Sequence, residues 1–392
     1  MEHKFFKVAI LLLAFVVGVA FAGISYINRE IPRVEVEEIH EAGPETNEPT
    51  QGKTLEMVFV LDTTGSMGGL LDGAKQKIWS IVNEVMQKQS KPDVRVGFVA
   101  YRDRNDEYVT QIVPISSDLD AVYSKLMDLE AGGGGDTPES VRKALAEGVE
   151  KAGWSKSGAA KIIFLVGDAP PQNYSGEPDV LATTTVAVRR NIVVNTIQCG
   201  DDHETRSIWQ QVARAGQGKY FAIAQNGGVE EINTPFDSRI AELGQKLGGT
   251  FIAYGAPTRR ADLSMAAAET ESKMANAASN TARADRALNK AVNKDAYNGD
   301  LIQDMERGRI KLDEVKAEDL PDDLQRVSPA ERQRQVDARI AERKKIRQEI
   351  LELSKQREAF LRAEGARSGR SGGFDSAVRA ALADQLARRG IE

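Results

Sequence analysis

Met57-Val58-Phe59-Val60-Leu61 is an uninterrupted apolar run that ends in Asp62-Thr63-Thr64-Gly65-Ser66. A strand with one solvated face alternates polar and apolar residues; one that is apolar throughout is covered on both faces, as in a parallel sheet flanked by helices. Ile162-Ile163-Phe164-Leu165-Val166 repeats the pattern and ends in Gly167-Asp168. Ligands of open parallel sheets collect outside the carboxyl ends of the strands. The carboxylates of Asp62 and Asp168 and the hydroxyls of Thr64 and Ser66 therefore stand where such a fold binds things.

The rest of the first two thirds fits this architecture. Leu71, Ala74, Ile78, Ile81, Val82 and Val85 recur at helical spacing after the first strand, which predicts a helix with one face on the sheet. Further strands are predicted at Val94 to Ala100, Thr110 to Pro114, Lys161 to Val166, Ile192 to Cys199 and Lys219 to Ile223. Helices are predicted after Pro138, Pro178, Glu204 and Asn226. The fold class is α/β, a doubly wound, mostly parallel, Rossmann-like sheet. A third loop, Gly132-Gly133-Gly134-Gly135-Asp136-Thr137-Pro138, brings another hydroxyl ahead of a proline suited to the first turn of a helix.

With these segments in this order, residues 54–255 resemble the von Willebrand factor type A (VWA) domain with its metal-ion-dependent adhesion site. That family's pattern is D-x-S-x-S after the first strand, a Thr on a second loop and an Asp after the fourth strand. It falls here on Asp62, Thr64, Ser66, Thr137 and Asp168, with Thr64 in place of the usual Ser. The resemblance implies a divalent cation held by these five side chains and a protein ligand whose Asp or Glu carboxylate completes its coordination. Near-octahedral oxygen coordination with retained water favours Mg²⁺, with Mn²⁺ and Ca²⁺ as alternatives. None of the five is His, Cys or Lys, so no nucleophile or base poised near neutral pH is evident. The expectation is a non-enzymatic binding module.

Two other functional readings stay open. One is an adaptor for an ATPase complex, as VWA proteins often are inside bacterial cells. The other is an aspartyl-phosphate phosphatase using Asp62. It lacks a second carboxylate shortly after Asp168, where Gln172 and Asn173 stand, and has no clear lysine motif.

The bland readings cover several further residues. Tyr101-Arg102-Asp103 also resembles the bacterial branch of the family, but a surface salt bridge is the expected role of Arg102 and Asp103. Asp201, Asp202, His203 and Glu204 are expected to cap a helix rather than hold a second metal. Cys199, the single cysteine, rules out an intramolecular disulfide framework and is expected to be buried. The net charge of −6 leaves no basic footprint for nucleic acid.

The ends of the chain carry location and assembly. Lys4 and Lys7 precede an apolar run from Val8 to Ile27, long enough to span a bilayer, and their charge keeps the N-terminus cytoplasmic. Residues 1–27 are thus read as a retained anchor or, since Ala20-Phe21-Ala22 resembles a cleavage site, a signal peptide. The remainder is expected to be exported to the periplasmic or extracytoplasmic face of a bacterial inner membrane. Residues 28–53, rich in Glu, Pro, Thr and Asn, read as a linker.

After Gly255 aromatic residues thin out, and residues 256–364 read as helical. A long helix is predicted over 329–364, with Ile346, Ile350, Leu353 and Phe360 on a heptad seam that Arg339, Arg343 and Arg357 interrupt. This region is a candidate for coiled-coil self-association. Residues 365–373 are read as a flexible joint, and 374–392 as a final amphipathic helix through Val378, Leu382 and Leu386, capped by Asp375 and Ser376. The tail resembles that of some bacterial exported VWA proteins in Leu320-Pro321, Ser328-Pro329-Ala330-Glu331-Arg332 and Phe374-Asp375.

Overall fold

The computed structural model describes residues 54–88, 92–135, 139–226, 232–293, 295–368, 374–389 and 391. The expected anchor or signal (1–27), the linker (28–53), Thr137, and residues 369–373 of the expected joint lie outside the described residues.

Six strands form one sheet in the order β3-β2-β1-β4-β5-β6. They are β1 (Thr54–Asp62), β2 (Asp93–Tyr101), β3 (Thr110–Ser116), β4 (Ala159–Gly167), β5 (Ile192–Cys199) and β6 (Gln217–Ile223). All pairings are parallel except β2 with β3. The mostly parallel, doubly wound sheet expected from the apolar runs is present.

The alternation of side chains along β1 explains why it needs no polar face. Leu55, Met57, Phe59 and Leu61 enter one core and Val58 and Val60 the other. The first core is closed by α1 (Gly68–Met86) and α2 (Leu119–Met127), the second by α3 (Val141–Glu150), α4 (Val180–Arg189) and α5 (His203–Ala215). The nine-residue α2 is not among the predicted helices. Asp118 starts it by accepting from the Ala121 amide at 3.0 Å. Asp202 does the same for α5, taking the Thr205 amide at 2.7 Å, as the capping reading expects.

Strand order reverses between β1 and β4. The chain winds from β1 outward through β2 to β3, then returns to β4 and winds the other way. The carboxyl ends of β1 and β4 therefore flank the crevice where doubly wound sheets bind ligands. Asp62 ends β1, and Asp168 follows β4 directly.

The helices after β6 are α6 (Asp237–Gly248), α7 (Pro257–Ala277), α8 (Asn280–Val292), α9 (Leu301–Glu306), α10 (Asp322–Gln325), α11 (Pro329–Ser368) and α12 (Phe374–Ala387). The long helix α11 runs past its expected end at 364. Ile346 and Ile350 on its seam pack with Ile240, Leu243 and Leu247 of α6 and with Ala284 and Ala287 of α8. The seam thus faces helices of the same chain.

The seam arginines have acidic partners. Arg343 is buried against Asp300. Arg357 bonds Asp237 at 2.5 Å and Asp285 at 2.7 Å. A further buried network ties α8 to α2, with Arg286 bidentate on Asp120 at 2.7 and 2.6 Å, and Lys290 at 3.1 Å from Asp120 and 2.6 Å from Glu271. These cations hold the Asp120 carboxyl far below its ordinary range despite its burial. The last helix, α12, begins at Phe374, so Asp375 lies inside its first turn. It seats Phe374, Val378, Leu382 and Leu386 in the first core. No described helix is long and apolar enough to cross a membrane.

Candidate functional site

Asp62 is 1% exposed. Its Oδ1 accepts from the Thr64 amide at 2.9 Å and from Thr64 Oγ1 at 2.7 Å, and Thr64 Oγ1 is 3.3 Å from Ser66 Oγ. The short Thr-Gly-Ser turn thus folds both hydroxyls onto the strand-end carboxylate. Oδ2 of Asp62 is buried without a hydrogen-bond partner. Asp168, half-buried, accepts from Gln225 Nε2 at 2.5 Å. Of the predicted site residues, the structure brings Asp62, Thr64 and Ser66 into direct contact and places Asp168 across the crevice. Asp168 is near enough for its charge to bear on Asp62.

The glycines make room for this. A Cβ on Gly167 would stand 2.4 Å from Tyr101 Oη and 3.2 Å from Asp62 Oδ2. Gly133 and Gly134 adopt φ of 73° and 74°, which side chains other than glycine's rarely tolerate. The glycine loop lies against the β1 turn through Gly132 N to Thr63 O at 3.1 Å and Gly65 N to Gly133 O at 3.3 Å.

Arg102 and Asp103 are corrections to the surface reading, being 5% and 3% exposed. Arg102 donates to Thr63 O at 3.2 Å and Glu130 O at 2.7 Å, and pairs with exposed Glu107 at 3.2 Å, so an ion pair exists but the guanidinium is internal. Asp103 accepts from Ser140 Oγ at 2.7 Å and Tyr174 Oη at 2.6 Å. Asp106 accepts from the Gly134 amide. The loop after β2 therefore braces the β1 turn, the glycine loop, the start of α3 and the loop after β4. Arg102→Ala would strip Glu130 O of this donor, leave Thr63 O with the Gly132 amide alone, and remove the buried guanidinium that ties the two loops together. We expect it to cost about 3 kcal/mol in urea unfolding, with Arg102→Lys recovering little, because an ammonium cannot match the guanidinium fork. A loss within about 0.5 kcal/mol would refute the brace.

Glu139 was missed by the motif reading. It is 2% exposed, with Oε2 unpartnered. Burial, then repulsion from Asp62, Asp103, Asp106 and Asp168, pushes its carboxyl up to about 8. Burial, then Asp168, pushes Asp62 up to about 7 against the opposing hydrogen bonds from Thr64. Its signal in the sequence is the fourth residue of Asp136-Thr137-Pro138-Glu139, two positions beyond the hydroxyl that drew notice.

These shifts set a pH dependence for metal-free protein. Both folded-state values lie above the unfolded ones, so folding takes up protons. The contribution is complete below about pH 4 and is lost as pH rises through about 7 to 8. In EDTA, stability is expected to fall between pH 5.5 and 8, with Asp62 alone contributing a slope of at most about 1.4 kcal/mol per pH unit. Urea midpoints across that interval check it, and a wild-type slope matching that of Asp62→Asn would contradict the assignment.

Residues 56–235 match the family model of the von Willebrand factor A domain. This stretch is a VWA domain. The chain is 28% identical over 128 residues to an ariadne-like RING finger protein of Acanthamoeba polyphaga mimivirus, covering 33% of this chain and 12% of that protein. It is 38% identical over 87 residues to the von Willebrand factor A domain-containing protein 7 of Rattus norvegicus, covering 22% of this chain and 9% of that one. The chain thus spans a small fraction of these relatives' lengths.

Among solved structures, an aerotolerance-related membrane protein of Bacteroides fragilis aligns with a TM-score of 0.34 and 16% identity, over 44% of this chain and 92% of that one. The SpRpn10 VWA domain aligns with a TM-score of 0.34 and 12% identity, over 44% and 89%. VWA domains are mostly non-enzymatic protein-interaction modules, and many bind a divalent metal.

Proposed function

We propose that this VWA domain binds a protein partner through a divalent cation held by Asp62, Thr64 and Ser66, with Thr137 and Asp168 completing the set. The observation that carries the reading is the bare, buried Oδ2 of Asp62 in the crevice between β1 and β4. An oxygen acceptor so placed, with a second carboxylate across from it and no ion pair to any Lys or Arg among the described residues, has chemistry that a hard cation satisfies. When bound, the ion offers an acidic side chain of a partner a coordination position. Mg²⁺ is the best match for a hydroxyl-rich, water-retaining set, and Mn²⁺ and Ca²⁺ share its oxygen preference.

A protein-interaction role needs none of the five side chains to react. Among the described residues no Lys or Arg pairs with Asp62, so no basic side chain stands there to neutralise an aspartyl phosphate. The basic residues ahead of Val8–Ile27 support export, with the domain tethered to the envelope of a bacterial cell. The ATPase-adaptor reading requires the opposite orientation.

The test is calorimetric titration of MgCl₂ and MnCl₂ into the full-length protein, beside Asp62→Asn and Thr137→Ala. Saturable binding that weakens in both variants supports the reading, and its absence from the wild type ends it. A metal-dependent pull-down from envelope extracts, suppressed by EDTA, then addresses the partner.

A further inference from the structure

Glu139 has a role that the five-residue pattern does not supply. Its backbone is clamped to the loop after Asp168, because its amide donates to Pro170 O at 3.0 Å and its carbonyl accepts from Gln172 N at 2.7 Å. The residue forms a one-residue parallel bridge to Pro171. This fixes the origin of a side chain that is almost wholly buried and leaves Oε2 without a partner.

The side chain approaches Thr64 across the gap left by Gly134. A Cβ on Gly134 would stand 2.9 Å from Thr64 Cβ and 3.4 Å from Glu139 Oε1. Donors of the loops around Glu139 are engaged elsewhere. Arg102 serves two carbonyls and Glu107, Ser140 Oγ and Tyr174 Oη serve Asp103, and the Gly134 amide serves Asp106. Among the described residues no three Asp, Glu, His or Cys side chains converge closely enough to hold an ion by themselves. Glu139 is near enough to Asp62 and Asp168 for their charges to bear on it.

We infer that Glu139 is the outer carboxylate of the cation site, accepting through Oε2 a hydrogen bond from a water on the ion. This rests on the cation reading above. Mg²⁺ and its close relatives dehydrate reluctantly and keep several waters. Those waters are strong donors, and carboxylates that receive them from a second layer orient the site and add to affinity. A rigidly mounted, buried carboxylate, with Oε1 bordering the Gly134 gap beside Thr64 and Oε2 without a partner, is the place for one such bond. The carboxylate's charge also adds to the pull on the cation, which the motif residues alone leave under-neutralised.

The experiment is Mn²⁺ titration of the full-length protein at pH 8, by calorimetry and by the water-proton relaxivity of the bound ion. Wild type is compared with Glu139→Gln, Glu139→Asp and Asp62→Asn. Glu139→Gln is expected to bind Mn²⁺ roughly tenfold more weakly at unchanged stoichiometry, with altered relaxivity because the coordinated water has lost its acceptor. Glu139→Asp, which draws the carboxylate back by one methylene, is expected to weaken binding as well, and it decides the matter if the glutamine variant does not fold. Wild-type affinity and relaxivity in a folded variant overturn the inference while leaving the cation site intact. No binding by the wild type overturns the cation reading itself, so the two failures are distinct.

Discussion

Asp62→Asn is expected to lower Mg²⁺ and Mn²⁺ affinity by roughly 100-fold or more, about 2.7 kcal/mol, while leaving the metal-free protein at least as stable as wild type at pH 8. The two halves of the result have one cause. The carboxylate is buried beside Asp168, and both burial and repulsion disfavour its charged form. Without an ion, removing the charge relieves the fold. Asparagine keeps an oxygen for the Thr64 amide and hydroxyl, which now hold the β1 turn.

With an ion, that same charge is the principal anionic ligand, and the amide cannot replace it. Calorimetry gives the first half and urea midpoints in EDTA the second. A variant that binds as tightly as wild type would remove Asp62 from the site. One that is destabilised by several kcal/mol without metal would show that the carboxylate has a structural partner in the fold.

The elements most legible in the sequence are those whose pattern is local. The run from Met57 to Leu61 is apolar at every position because β1 lies between β2 and β4 with a core on each face. Asp62, Thr64 and Ser66 were readable because a strand end and a short turn fix their geometry within five residues. Leu119, Val122, Tyr123 and Leu126 carry a helical period over only nine residues, too short to stand out between a strand and a glycine loop.

What was hidden depends on partners far along the chain. Arg102 reads as a surface residue until Glu130 O and Thr63 O come to it. Arg343 and Arg357 read as breaks in a heptad seam, yet each meets aspartates, Asp300 for one and Asp237 with Asp285 for the other, more than 40 residues away. Charge pairs of this kind are a property of the folded arrangement, and periodicity has no access to them. Glu139 belongs to the same class, since its importance lies in what surrounds it.

Truncation after Ser368 is expected to have the largest effect on stability, because α12 is part of the sheet's own core. Phe374 packs with its ring 6.1 Å from that of Phe59, which in turn stacks on Phe164 at 5.2 Å. Val378, Leu382, Leu386 and Ile391 continue the contact. Asn195 and Gln385 exchange amide hydrogen bonds at 3.0 and 2.6 Å inside it, and Arg379 reaches Glu84 at 2.8 Å.

Burying five large apolar side chains is worth about 10 kcal/mol at roughly 2 kcal/mol each, and much of this is offset by the entropy of ordering the segment. The net loss is expected to be on the order of 5 kcal/mol, comparable to the whole stability of many domains. The exposed strip would also bind the dye ANS and promote association. Leu382→Ala in the intact chain, at about 3 kcal/mol, separates loss of packing from loss of the segment's covalent tether. A truncated protein melting within about 2 °C of wild type would mean that α12 rests on the sheet without holding it, and that the sheet closes this face by other means.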